Sequence, residues 1–196
     1  MLEFEKKVIL WKDEYRFLTE HKYASGKTEI QINHYYDTDD FELNRQEITC
    51  RIREKNGSCT ATIKEHHLKG SDCSTETSRI IKNRYDDTLF RDMDICYQGS
   101  LETIRSVYSG RHGITVALDK NCYLGIVDYE MEIEYDLDHE ALALAELDSV
   151  ISDLTEYGIL KNPLEFKSRI CHSRNKASRF FSRKAEVREK IKRWMT

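Results

Sequence analysis

Residues 128–135 read DYEMEIEY. The acids alternate strictly with apolar residues: Glu130, Glu132 and Glu134 fall on one side, Tyr129, Met131, Ile133 and Tyr135 on the other. A period of two belongs to a β-strand, in which side chains at i, i+2 and i+4 share a face. Three carboxylates side by side repel one another unless something of opposite sign lies against them. The stretch therefore calls for a strand with one face on an apolar core and its other face on a cationic partner.

Working outward, three further segments repeat the pattern with different signs. LEFEKKVIL (2–10) puts Glu3, Glu5 and Lys7 opposite Phe4 and Val8. TCRIRE (49–54) puts Thr49, Arg51 and Arg53 opposite Cys50 and Ile52, and TATIKE (60–65) puts Thr60, Thr62 and Lys64 opposite Ala61 and Ile63. For any one strand the simplest reading is the solvated side of an amphipathic sheet. Segregation of sign from strand to strand argues for something more. Carboxylate oxygens in a row suit a hard divalent cation, and Arg and Lys in a row suit a polyanion. Turned inward in a closed sheet, such faces would be costly unless paired, and a metal bound to a phosphate chain supplies the pairing.

Period-two patterns between turn signals predict strands at 2–9, 28–37, 47–55, 58–66, 73–81, 103–109, 114–119 and 128–135, with KNGS (55–58) and SGRHG (109–113) as connecting turns. Helices are predicted over 11–23, over 137–158 with Asp138 as N-cap and Gly158 at the end, and over 175–195. The fold class is α+β: an eight-stranded antiparallel sheet or barrel with flanking and C-terminal helices. With 196 residues, 39% of them hydrophobic, the expectation is a single domain over 1–196.

The formal charge of −4 conceals an asymmetry. Residues 161–196 carry 12 Lys/Arg against 3 Asp/Glu, leaving 19 against 32 before them. A basic tail of this kind serves as a nucleic-acid arm, as an internal salt partner or as a solvated helix. The six cysteines form no CxxC pair, and no apolar segment approaches the ~18 residues of a membrane span, so a reduced, cytoplasmic protein without a membrane is expected. No GxxxxGK loop is present, which removes a Walker-type nucleotide site. His66 and His67 read as a solvated turn rather than a zinc site, having no Cys or His at ligand spacing. Tyr35 shares a strand face with Asn33 and Asp37, and either lines the wall or reaches the lumen.

At this point the chain resembles a known family. EFEKK (3–7) is similar to the Glu-x-Glu-x-Lys signature of the CYTH proteins, or triphosphate tunnel metalloenzymes, which include class IV adenylyl cyclases, thiamine triphosphatases and inorganic triphosphatases. INHYYDT (32–38), CRIRE (50–54), TATIK (60–64), VALDKNCYLGIVDYEMEIE (116–134) and NKASRFF (175–181) follow in the family's order. The resemblance implies an eight-stranded antiparallel barrel whose tunnel binds triphosphates with Mg2+ or Mn2+. Glu3, Glu5, Asp119, Glu130, Glu132 and Glu134 would hold metal, with two of the last three dominant. Lys7, Arg51, Arg53, Lys64, Arg105, Lys176 and Arg179 would hold phosphate, Arg111 being the alternative to Arg105. Glu3, Glu5, Lys7 and Lys64 would form the catalytic set, while Arg79, facing away from Glu76, would not reach the ligand. The implied activity is hydrolysis of the terminal phosphate of tripolyphosphate, ATP or thiamine triphosphate. Cyclisation of ATP to cyclic AMP and non-catalytic polyphosphate binding are the alternatives. Nucleic acid is the weaker partner, and a homodimer is compatible with the reading.

Overall fold

The computed structural model describes residues 2–66, 73–86, 88–109, 113–171 and 174–195, without the side chains of Leu2, Glu3, His66, Cys73, Leu137 and Cys171. The expectations for the Glu3 side chain, Arg111 and the His66–His67 pair therefore lie outside the described residues. Eight antiparallel strands are present: β1 (Leu2–Leu10), β2 (Lys27–Asp37), β3 (Ile48–Lys55), β4 (Ser58–His66), β5 (Cys73–Ile81), β6 (Cys96–Ser109), β7 (Ile114–Tyr123) and β8 (Ile126–Tyr135). They close into a barrel in the order β1-β5-β4-β3-β2-β6-β7-β8. The β3–β4 hairpin turns at Asn56 and Gly57, both at positive φ (50° and 75°), the backbone that matches strand twist in a two-residue turn. The closing seam is short: β1 pairs with β5 only through Leu2, Glu3 and Phe4, whereas it runs beside β8 from Phe4 to Leu10.

Apolar faces point out of the barrel and polar faces into it. On one flank Val8, Val116, Leu118, Met131 and Ile133 pack beneath α3 (Glu140–Glu156), which buries Ala143, Leu147, Val150, Ile151 and Leu154 against them. On the opposite flank Cys50, Ile52, Ala61 and Ile81 are covered by Phe90. The main cores thus lie between the barrel wall and what covers it, which leaves the lumen for charge.

Short helices complete the chain. α1 (Lys12–Phe17) leads into a π-helical turn over Leu18–Lys22, and α2 (Glu42–Arg45) follows β2. α4 (Pro163–Cys171) is tied to the end of β1, because Arg169 donates to both Glu14 carboxylate oxygens (2.8 and 2.6 Å) and to the Ile9 carbonyl (2.6 Å). α5 (Lys176–Met195) sets Ala177, Phe180 and Phe181 against Tyr35, Leu101 and Tyr123, so its first turns cover an end of the lumen. Among the described residues no helix is long and apolar enough to cross a membrane.

Three sequence expectations need correction. β6 begins at Cys96 rather than at 103, because pairing with β2 continues through CYQGSLE although that stretch lacks clean alternation. Asp138 does not cap α3: it sits in a 3-10 turn over Leu137–His139, and the N-cap is His139. Neither α2 nor α4 was expected, since each is too short to show helical periodicity. Gly158, at φ 70°, does end α3 as expected.

Candidate functional site

The strand register sets the acids and bases of the lumen against one another. Lys7 lies opposite Glu132 and Glu5 opposite Glu134 across β1–β8, Asp119 lies opposite Glu130 across β7–β8, and Arg105 lies opposite Asp119 across β6–β7. Asp119, Glu130 and Glu132, all buried, bring one carboxylate oxygen each within 4.8 Å of the others. The Lys176 ammonium, delivered by the first residue of α5, sits on all three, at 2.8 Å from Asp119, 2.8 Å from Glu130 and 2.6 Å from Glu132. Arg105 grips Asp119 with two hydrogen bonds (2.8 and 2.6 Å) and also donates to Glu132. Arg179 spans Glu130 (2.8 Å) and Asp128 (3.0 Å).

These contacts decide the protonation of the acidic wall. Burial alone would push the Glu130 carboxyl up, but Arg179 and Lys176 outweigh it and bring it down to about 2. Burial also opposes ionisation of Glu132, yet Lys176, Arg105 and Lys7 hold it well below the usual carboxylate range. Lys7 bonds Glu5 at 2.6 Å and lies 4.0 Å from Glu132. Burial lowers its ammonium, and Glu5 and Glu132 more than restore it.

The facing wall is short of acid. Arg51 has Glu76 at 3.4 Å, and Arg53 donates through Nε to the Asn33 amide oxygen at 2.9 Å. No carboxylate lies within ion-pair distance of Arg53 among the described residues. Burial, with Arg51 and Arg105 nearby, lowers its guanidinium to about 9, so an anion beside it would relieve a standing electrostatic cost. Between the two walls lies a cavity of about 140 Å³. It is bounded by Glu5, Lys7 and Glu132 on one side and by Arg51, Arg53 and Lys64 on the other. A second space of about 370 Å³ shares Arg51, Arg53 and Glu76 with the first and opens toward the β3–β4 hairpin.

The sequence-derived residues thus fall into groups. Glu5, Lys7, Arg51, Arg53, Lys64, Arg105, Glu132, Glu134 and Lys176 all border the cavity. Asp119 and Glu130 lie behind it, fully buried and bonded to cations. Arg179 holds acids at the α5 side, and Arg79 lies on the outer register of β5, opposite Ala61. Asp128 was overlooked as a fourth inward acid of β8, although the same alternation contains it. It gathers Asn121 (2.9 Å), Tyr123 (2.6 Å) and Arg179. Gly99, at φ 134°, was overlooked too. A Cβ there would come within 2.9 Å of the Phe180 ring, so a glycine lets α5 settle on the barrel.

Comparisons with known proteins agree with this architecture. A family model described as the CYTH domain matches residues 1–161. YjbK of Bacillus subtilis (strain 168), named as a candidate triphosphatase, is 34% identical over 147 residues, covering 68% of this chain and 77% of that protein. A crystal structure from Bacillus halodurans, described as a candidate adenylate cyclase, superposes with TM-score 0.64 at 28% identity over 91% of this chain and 97% of its own. HpAC1 from Hippeastrum, a candidate adenylyl cyclase with a dominant triphosphatase activity, shares the fold at TM-score 0.60 and 22% identity, covering 80% and 88% of the two chains.

Proposed function

The chain belongs to the CYTH domain family, and from that premise we propose that it is a divalent-metal-dependent triphosphatase that removes the terminal phosphate of a triphosphate held in the lumen. The observation that carries this reading is the division of one small cavity into an acidic wall and a basic wall whose Arg53 meets no carboxylate among the described residues. Arg51, Arg53 and Lys64 are the groups to take phosphoryl oxygens, with Lys7 reaching across from the acidic side.

The acidic residues fit a hard cation by donor type, since the cluster offers only carboxylate oxygens. Asp119 and Glu130 lie behind the cavity, bonded to Lys176, Arg105 and Arg179, whereas Glu132, although it shares Lys176 and Arg105 with them, reaches the cavity. Glu5, Glu132 and Glu134 border the cavity itself, so Mg2+ or Mn2+ would be held there, with Glu132 and Glu134 as the dominant pair of β8. When bound, the ion supplies charge neutralisation for the phosphoryl oxygens. Water attacks the terminal phosphorus, the bridging P–O bond breaks, and the proton leaves through water on the Glu134 side of the cavity, where that side chain is 53% exposed. Pyrophosphate or a nucleoside diphosphate leaves, its charge met by the basic wall.

Tripolyphosphate suits the lumen better than a nucleotide. Tyr35 is the only aromatic residue bordering the cavity among the described residues, and its ring is packed on Phe180 (4.9 Å) and Phe181 (5.9 Å), leaving no inner surface for a base to stack on. The cyclase reading is carried by the description of the Bacillus halodurans relative. Incubation with tripolyphosphate, ATP and thiamine triphosphate in Mg2+ or Mn2+, with phosphate and cyclic AMP both measured, separates the two. Phosphate from tripolyphosphate is expected, and cyclic AMP with pyrophosphate as the main products would establish the cyclase instead.

A further inference from the structure

Tyr35 is buried to 1% exposure on the inward face of β2, yet it borders the cavity. Its ring is held by Phe180 and Phe181, so its hydroxyl has a fixed position. That hydroxyl makes no hydrogen bond among the described residues. Burial raises the phenol above its ordinary range, and Arg51, Lys176, Arg53 and Arg179 pull in the opposite direction without cancelling it, so the group stays protonated. All four of these neighbours are donors with no accepting atom on their charged groups. None of these charged groups can accept the phenolic hydrogen, and the residue borders the cavity, so an acceptor for the O–H is to be found on the cavity side.

A second unused donor lies one inward step back on the same strand. Asn33, fully buried, gives its amide oxygen to Arg53 Nε, and its Nδ2 has no partner. β2 therefore presents the Asn33 amide nitrogen and the Tyr35 hydroxyl as neutral donors near the Arg51–Arg53 pair, and the Arg51 Nε is unpartnered as well. We propose that Tyr35 is a substrate-binding residue of the lumen, donating its phenolic hydrogen to a phosphoryl oxygen of an anionic phosphate chain seated on Arg51 and Arg53, while Asn33 acts as a positioning residue that sets the Arg53 guanidinium. The inference rests on the triphosphate reading above and adds to it a neutral donor that recognises the chain without adding charge.

The test is calorimetric titration of the full chain with tripolyphosphate in excess EDTA, comparing the parent with Tyr35→Phe, which keeps the packed ring and removes only the hydroxyl. A hydrogen bond to a charged acceptor is expected to be worth roughly 10-fold or more in affinity. Equal affinity in the two proteins overturns the Tyr35 assignment alone. A parent that takes up no tripolyphosphate in EDTA overturns the Tyr35 proposal, because the chain then does not seat on Arg51 and Arg53 alone, while the triphosphatase reading is decided separately by phosphate release in Mg2+ or Mn2+. Should Tyr35→Phe fail to fold, the parent labelled at tyrosine Cζ decides: tripolyphosphate is expected to shift one buried tyrosine resonance, and a spectrum without such a shift contradicts the proposal.

Discussion

Arg53 and Arg105 face the same cavity and differ in what they leave behind when removed. Arg105 neutralises Asp119 and Glu132, so Arg105→Ala leaves these two buried carboxylates with Lys176 as their one shared cation. Breaking a buried pair from one side costs on the order of 3–5 kcal/mol, and urea unfolding is expected to show a loss of that size. Arg53→Ala leaves no acid unpaired among the described residues and removes a guanidinium that burial already disfavours, so the main loss is the Asn33 hydrogen bond, about 1–3 kcal/mol and smaller than for Arg105→Ala. Its activity should fall ~10²-fold, because a preorganised charge at the reacting centre is lost. Equal stability loss in the two variants, or near-normal turnover of tripolyphosphate by Arg53→Ala, would contradict the division into walls. The sequence showed which face each of these residues occupies, since alternation fixes the face. It did not show which acid each base meets, because partner choice depends on register across strands far apart in the chain: Arg105 and Glu132 are 27 positions apart, Lys176 and Glu132 44.

At the scale of elements, the charge pattern left three roles open for the basic tail, and the contacts of α5 place two of its bases inside the molecule. The basic excess of the tail is spent inside the molecule at Lys176 and Arg179, and further along at Lys184, which donates to the Gln98 carbonyl and side-chain oxygens (2.6 Å to the latter). The strand that receives α5 was legible only in its second half, because residues 96–102 owe their strand state to β2 and not to their own alternation. Gly99 is the hinge of that contact. Gly99→Val strains a backbone at φ 134° and drives a side chain into Phe180, so α5 should be lifted and Lys176 drawn off its three carboxylates. Faster proteolytic cleavage within 176–195 and a lowered melting temperature are expected, with the far-ultraviolet spectrum of the barrel kept. A variant as protease-resistant as the parent would show that α5 is not seated through Gly99.

For the molecule as a whole, the consequence of an inverted polar interior is a stability that depends on acid ionisation. The Glu130 carboxyl is brought from an ordinary 4.5 to about 2, and Glu132 is held well below the same value. A carboxyl depressed by folding contributes stability that is fully present above its unfolded value and lost as pH falls through its folded one. Stability should therefore decline between pH about 4.5 and about 2, and Glu130→Gln, already lacking one charge, should show a shallower decline by urea titration across that range. Parallel pH profiles would contradict the ion-pair account of the lumen.

The central claim is that this lumen brings a triphosphate and a divalent ion together, and phosphate release tests it most directly. The full chain is incubated with tripolyphosphate in Mg2+ or Mn2+, and again after excess EDTA, while free phosphate is followed. Release with the ion and its loss in EDTA is the predicted result. Undiminished release in EDTA, or no release with either ion, would contradict it.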